Sequence, residues 1–175
     1  MSGEVIRWEI LSGLPGEGPT PMYFHSQHPT PWAEGLVLRF WRADGSQWIG
    51  NFQGKQDWST KVVLWPKVDS FVVIAMDNFY LLDAGNPANY ITADSDLLVD
   101  DVMLDDEQST LFAAANTTIL AFGPNRQLIW RRDSLREFDA RFQSCVDGVL
   151  TVNVEEELGG ERKILRFATT DGAPR

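Results

Sequence analysis

A chain of 175 residues that is 43% hydrophobic has enough apolar matter for one compact core. Its formal charge of −10 sets up a field that repels phosphate backbones, which excludes nucleic acid as the default partner. No stretch reaches the roughly 18 apolar residues of a membrane-spanning helix, and the one cysteine, Cys145, leaves no intrachain disulfide to form.

In chain order, the start Met1-Ser2-Gly3-Glu4-Val5-Ile6-Arg7-Trp8 lacks the basic and apolar run of a secretion signal, so a cytoplasmic protein is expected. Val5–Ile10 reads as a short strand. Residues 12–35 carry Pro15, Pro19, Pro21, Pro29 and Pro31 with Gly13, Gly16 and Gly18, which forbids regular helix or a central strand. Leu36–Trp41 and Gln47–Phe52 then form a hairpin around Ala43-Asp44-Gly45.

From Val62 a repeat emerges. Displaced by 39 residues, Val63-Leu64-Trp65 falls on Val102-Met103-Leu104 and Val72-Val73-Ile74-Ala75 on Leu111-Phe112-Ala113-Ala114. Tyr80-Leu81-Leu82 meets Ile119-Leu120-Ala121, and Asp94-Ser95 meets Asp133-Ser134, with no gap needed. A further turn of the repeat brings Phe142 under Met103 and Leu150 under Leu111. It resumes at Ile164–Phe167 after an insertion in the charged loop Glu155–Glu161, where surface insertions are tolerated.

Each unit reads as four short strands, about Val99–Leu104, Thr110–Ala115, Thr118–Phe122 and Gln127–Arg131 in the clearest one. Asp133–Arg141 is the best helical candidate, at most two turns. The last unit stops where its fourth strand should begin, and Val5–Ile10 resembles that missing strand, so one terminus is expected to complete the unit begun by the other.

Thr118-Ile119-Leu120-Ala121-Phe122-Gly123-Pro124-Asn125-Arg126-Gln127-Leu128-Ile129-Trp130 resembles the blade signature of β-propellers in the quinoprotein-like and WD-like families. The resemblance spans residues 36–168, lacks the Gly-His and Trp-Asp dipeptides of WD blades, and identifies no specific family. It implies an all-β, propeller-like array of about four antiparallel four-strand units within a single β domain, 1–175. The units are a partial one at 36–60, then 61–98, 99–138, and 139–172 plus 4–10, with 12–35 as a Pro/Gly-rich loop. An open β-meander or a sandwich is the alternative.

Candidate sites are few. His25-Ser26-Gln27-His28 could bring two imidazoles to one metal ion, but metal sites need three or four ligands and the nearest carboxylates are Glu17 and Glu34. The acids Asp94, Asp96, Asp100, Asp101, Asp105, Asp106 and Glu107 lack the spacing and glycine of a calcium loop and read as solvated turn residues. Cys145 reads as a buried structural thiol. No nucleophile elbow, phosphate loop or dinucleotide fingerprint occurs, so no cofactor is expected.

Recognition remains. In a propeller the connections Gln53–Thr60, Ala93–Asp101, Arg132–Ala140 and Glu155–Glu161 would gather on one face, presenting Trp58, Asp94, Asp96, Arg132, Arg136, Glu155, Glu156 and Glu157. A tryptophan ringed by charge suits a protein-binding patch, whereas Trp58 tucked between blades is the competing placement. The sequence therefore points to a non-catalytic interaction module of a cytoplasmic, bacterial protein whose partner is another protein, with a homo-oligomer as a further option. A small hydrolase using His25 and His28, with or without a metal, is the alternative.

Overall fold

The computed structural model describes residues 5–26, 34–94, 96–115, 117–133, 139–155 and 160–175. They divide into two compact halves, 1–96 and 97–175. Among the described residues the regular elements are all β-strands, apart from one 3₁₀ turn at Pro66–Val68.

The N-terminal half holds two sheets. The first is formed by β1 (Val5–Ile10), β2 (Met22–Phe24), β3 (Leu36–Arg42) and β4 (Gln47–Phe52) in the order β1-β3-β4-β2. The β3–β4 hairpin turns at Gly45 (φ 82°), where the Asp44 carboxylate accepts the Ser46 N–H at 2.8 Å. The second sheet runs β5 (Lys61–Trp65), β6 (Ser70–Ala75), β7 (Asn78–Asp83) and β8 (Tyr90–Thr92) as an antiparallel meander. Every residue of β6 is buried, as expected of an inner strand covered on both faces.

The core of this half is aromatic. Phe40 stacks on Trp48 with centroids 4.2 Å apart, and Phe24 on Phe52 at 4.5 Å, while Phe71 and Tyr80 reach the same cluster from the second sheet. Gly50 makes room for these rings, since a Cβ there would lie 2.5 Å from the Phe52 ring. The Tyr80 hydroxyl donates to the Gln53 carbonyl at 2.8 Å, so its burial strands no polar atom. That burial pushes the phenol well above its usual pKa, with the nearby Tyr90 phenol adding to the shift.

The C-terminal half repeats the plan. β9 (Val99–Leu104), β10 (Leu111–Ala115), β11 (Thr118–Phe122) and β12 (Leu128–Arg132) form a four-stranded antiparallel sheet. β13 (Asp139–Val146), β14 (Val149–Glu155) and β15 (Arg162–Ala168) form a three-stranded one. The β13–β14 turn is Asp147-Gly148 with both φ positive (51° and 72°), the pair that a two-residue hairpin favours. Phe112, Ala114, Ile119 and Ala121 pack with Cys145, Leu150, Val152, Val154 and Phe167 as this half's core.

Three expectations change. The N-terminal strand does not complete the last unit: β1 pairs antiparallel with β3, so the first sheet has four strands rather than a partial set. β2, from inside the Pro/Gly-rich segment, adds to that sheet as an edge strand parallel to β4. At the helical candidate Asp133–Arg141, residues 139–141 belong to β13, and 134–138 lie outside the described residues.

Candidate functional site

Trp58 is the most exposed of the large apolar side chains described, at 71%. The turn that carries it is braced from within. The Asp57 carboxylate accepts hydrogen bonds from the Ser59 N–H (3.0 Å), the Ser59 hydroxyl (2.8 Å) and the Thr60 hydroxyl (3.2 Å). Thr60 Oγ1 in turn accepts the Asp57 N–H at 2.9 Å. Ser59 is fully buried directly after the exposed tryptophan, and its oxygen accepts the Asp77 N–H at 3.2 Å, tying the loop to the β6–β7 turn.

That second turn is unusual. Met76 and Asp77 both have positive φ (49° and 63°), a conformation that costs a methionine about 1 kcal/mol or more where Asn-Gly would sit unstrained. Met76 is 54% exposed beside the Trp58 loop. At Gly54 (φ 116°) a Cβ would lie 2.2 Å from the Ala75 carbonyl oxygen, so the two segments touch at backbone distance. The result is an apolar pair, Trp58 and Met76, displayed on a hydrogen-bonded base. The sequence flagged Trp58; Met76 carried a signal only in the odd Met-Asp dipeptide between two strong strands.

The remaining expected residues divide between the halves. Asp94 and Asp96 are exposed after β8. Arg132, the last residue of β12, is exposed, and Glu155, at the end of β14, is half-buried and pairs with Arg162 at 3.7 Å. Arg136, Glu156 and Glu157 lie outside the described residues.

Of the two histidines, His28 also lies outside them. His25 is exposed, its backbone N–H donating to the Tyr90 hydroxyl at 3.3 Å. Among the described residues no group of three or more His, Cys, Asp and Glu side chains is placed to hold a metal ion. A cavity of about 530 Å³ opens in the C-terminal half, lined by Asp105, Asp106, Glu107, Ser109, Cys145 and Asp147 among others, and His25 has no part in it. Burial, reinforced by the charges of Asp105 and Asp106, pushes the Cys145 thiol up to about 11, far from a nucleophile's range.

The acidic run is not uniformly solvated, and this corrects its reading as turn residues. Asp101 is 6% exposed, and its carboxylate accepts the Phe142 N–H at 2.8 Å and the Val102 N–H at 2.9 Å. The neighbouring Asp100 holds Arg141 through its carboxylate (3.3 Å) and its carbonyl (2.9 Å). These two aspartates join β9 to β13 and are part of the framework.

No protein-family model and no curated protein matches the chain. Solved structures do. BamB from Moraxella catarrhalis is 15% identical with a TM-score of 0.54, over 96% of this chain and 50% of that one. KlHsv2 with loop 6CD replaced by a Gly-Ser linker is 16% identical (TM-score 0.51; 79% and 51% of the two chains). Hsv2 from Kluyvelomyces marxianus is 12% identical (TM-score 0.51; 75% and 46%). The chain thus spans about half the length of the structures it matches. At such identities the likeness speaks for fold alone, and these neighbours are β-propeller proteins: the chain has an all-β, propeller-like fold.

Proposed function

We propose that this chain is a non-catalytic protein-interaction module of a cytoplasmic, bacterial protein, anchored by Trp58. One observation carries the reading: a tryptophan 71% exposed on a turn whose every other member is hydrogen-bonded or buried. Leaving a large ring in water forgoes roughly 2 kcal/mol of burial, and bracing the loop lowers the ordering cost when a partner covers it. Exposed tryptophans on rigid supports are the residues that dominate binding energy at protein interfaces. Met76 widens the apolar patch, and Asp94, Asp96, Arg132, Arg136 and Glu155–Glu157 are proposed as further charged contacts in their respective halves. The propeller-like fold supports this class of function by analogy. The single buried thiol suits a reducing cytoplasm.

The test is affinity capture from the native cell extract with wild type and Trp58→Ala side by side. A protein retained by wild type and depleted at least tenfold by Trp58→Ala, with both melting together, supports the reading. An identical captured set overturns it.

A further inference from the structure

Met76 opens the strained β6–β7 turn, and its side chain has no place in the aromatic core of its half. Polar groups hold the turn without it. The Asp77 N–H donates to Ser59 Oγ at 3.2 Å, and Asn78 Nδ2 donates to the carbonyls of Ala75 (3.0 Å) and Met76 (3.1 Å). The thioether meanwhile is 54% exposed. The other two methionines among the described residues, Met22 and Met103, are partly buried and pack on the cores of the two halves.

A thioether is oxidised when a peroxide reaches a sulfur lone pair. The sulfur attacks one oxygen of hydrogen peroxide, and the S–O bond forms as the O–O bond breaks. The released hydroxide takes the proton carried by the transferred oxygen, leaving methionine sulfoxide and water. Sulfur gives up two electrons and the peroxide gains them. Exposure favours Met76 over Met22 and Met103. Cys145, the competing sulfur, is 5% exposed with its thiol pushed up to about 11, so little thiolate is present to react. The position of Met76 gives the reaction a consequence. Trp58 and Met76 each directly precede one partner of the Ser59–Asp77 hydrogen bond, so both exposed side chains leave the same pinned junction. A sulfoxide there replaces an apolar group by a strong hydrogen-bond acceptor, which a partner covering Trp58 would have to desolvate.

We propose that Met76 is a modification site: hydrogen peroxide converts its thioether to the sulfoxide, and the change releases a partner held at Trp58. The inference rests on the reading of Trp58 as an anchor and adds the regulation of that site. Oxidation of Met22 or Met103 would set a polar group against a core and disturb packing. At Met76 it alters only the surface, because the turn is held by hydrogen bonds that do not involve the thioether. A Met-Asp pair kept where Asn-Gly would sit unstrained supplies this turn with an oxidisable apolar group.

The experiment treats the full chain with hydrogen peroxide and follows each methionine by peptide mass spectrometry. Met76 is expected to gain one oxygen at least tenfold faster than Met22 and Met103, with the Tm unchanged. The same samples are run on a phenyl resin, an apolar probe that needs no identified partner. Oxidised wild type, Met76→Gln and Trp58→Ala should all elute earlier than untreated wild type, and peroxide should leave Met76→Leu where it was. Any protein captured in a Trp58-dependent way should fall at least tenfold with the oxidised chain and persist with peroxide-treated Met76→Leu. Equal oxidation rates at the three methionines, a lower Tm on oxidation of Met76, or capture lost in Trp58→Ala yet kept by the oxidised chain would each overturn the proposal. Capture indifferent to Trp58→Ala would overturn the reading of the patch and this regulation with it, while the oxidation rates would still decide whether Met76 is the modified residue.

Discussion

Asp101 offers the sharpest test of how the C-terminal half is held together. Replacing it by alanine removes the acceptor for two backbone N–H groups, those of Phe142 and Val102, neither of which gains a new partner. Hydrogen bonds to charged acceptors are worth about 1.5–3 kcal/mol each, and relief of the buried carboxylate's own desolvation offsets part of that loss. A net cost of about 3 kcal/mol follows for Asp101→Ala. For a chain of this size that corresponds to a fall in Tm of roughly 6–12 °C by circular dichroism. Asp101→Asn keeps one carbonyl oxygen but turns an NH₂ group toward a donor, so about half the loss is expected. Asp96→Ala, at an exposed position, should stay within about 0.5 kcal/mol of wild type. Native-state hydrogen exchange at Phe142 should quicken in Asp101→Ala by about a hundredfold, matching the energy lost. If Asp101→Ala melts within 2 °C of wild type, the assignment of Asp101 as a structural tie between β9 and β13 is wrong.

Further expectations concern single groups. Tyr80→Phe removes the hydroxyl that donates to the Gln53 carbonyl and should cost about 1–2 kcal/mol in urea unfolding, with an unchanged m-value. The Arg131 guanidinium, and after it the Thr118 hydroxyl, hold the Asp133 carboxyl below its ordinary 3.8. A depressed folded pKa means stability present above 3.8 and lost as pH falls through the folded value, so the Tm advantage of wild type over Asp133→Asn should hold above pH 3.8 and shrink as the pH is lowered below it. With its thiol raised to about 11, Cys145 should react with iodoacetamide at pH 8 at least about a hundredfold more slowly in the native chain than in guanidinium.

The repeat was legible because each unit's inner strands are apolar on both faces and its turns carry Asp, Asn and Gly at fixed intervals. The expected strands Val99–Leu104 and Thr118–Phe122 coincide with β9 and β11. Partner choice was not legible. The alternation in Val5–Ile10 marks an edge strand, but nothing local states which edge it joins, and β3 proved nearer in sequence than the last sheet. Asp101 hid for a related reason. Between Asp101 and Val99 the register against β10 shifts, with Ala114 opposite the first and Ala115 opposite the second, and such an extra residue re-aims the side chains around it. The residue string Asp100-Asp101 shows two acids, not the irregularity that buries one of them. At Trp58 the exposure is a tertiary fact, while the Asp-x-Ser-Thr spacing that braces its turn was there to be read.

The pairing of β1 with β3 also bears on synthesis. A strand at Val5–Ile10 reserved for the sheet of β13–β15 would have to wait, unpaired, until residues 139–168 had been made. Here each strand pairing described closes within its own half, and the aromatic cluster of residues 5–84 is complete before Leu97 is made. Contacts of short sequence separation are reached early, and unpaired edges are the surfaces through which nascent β-chains aggregate. The nascent chain can therefore fold its first half as translation proceeds, and the exposure of β1 lasts only the few seconds needed to add residues 11–42.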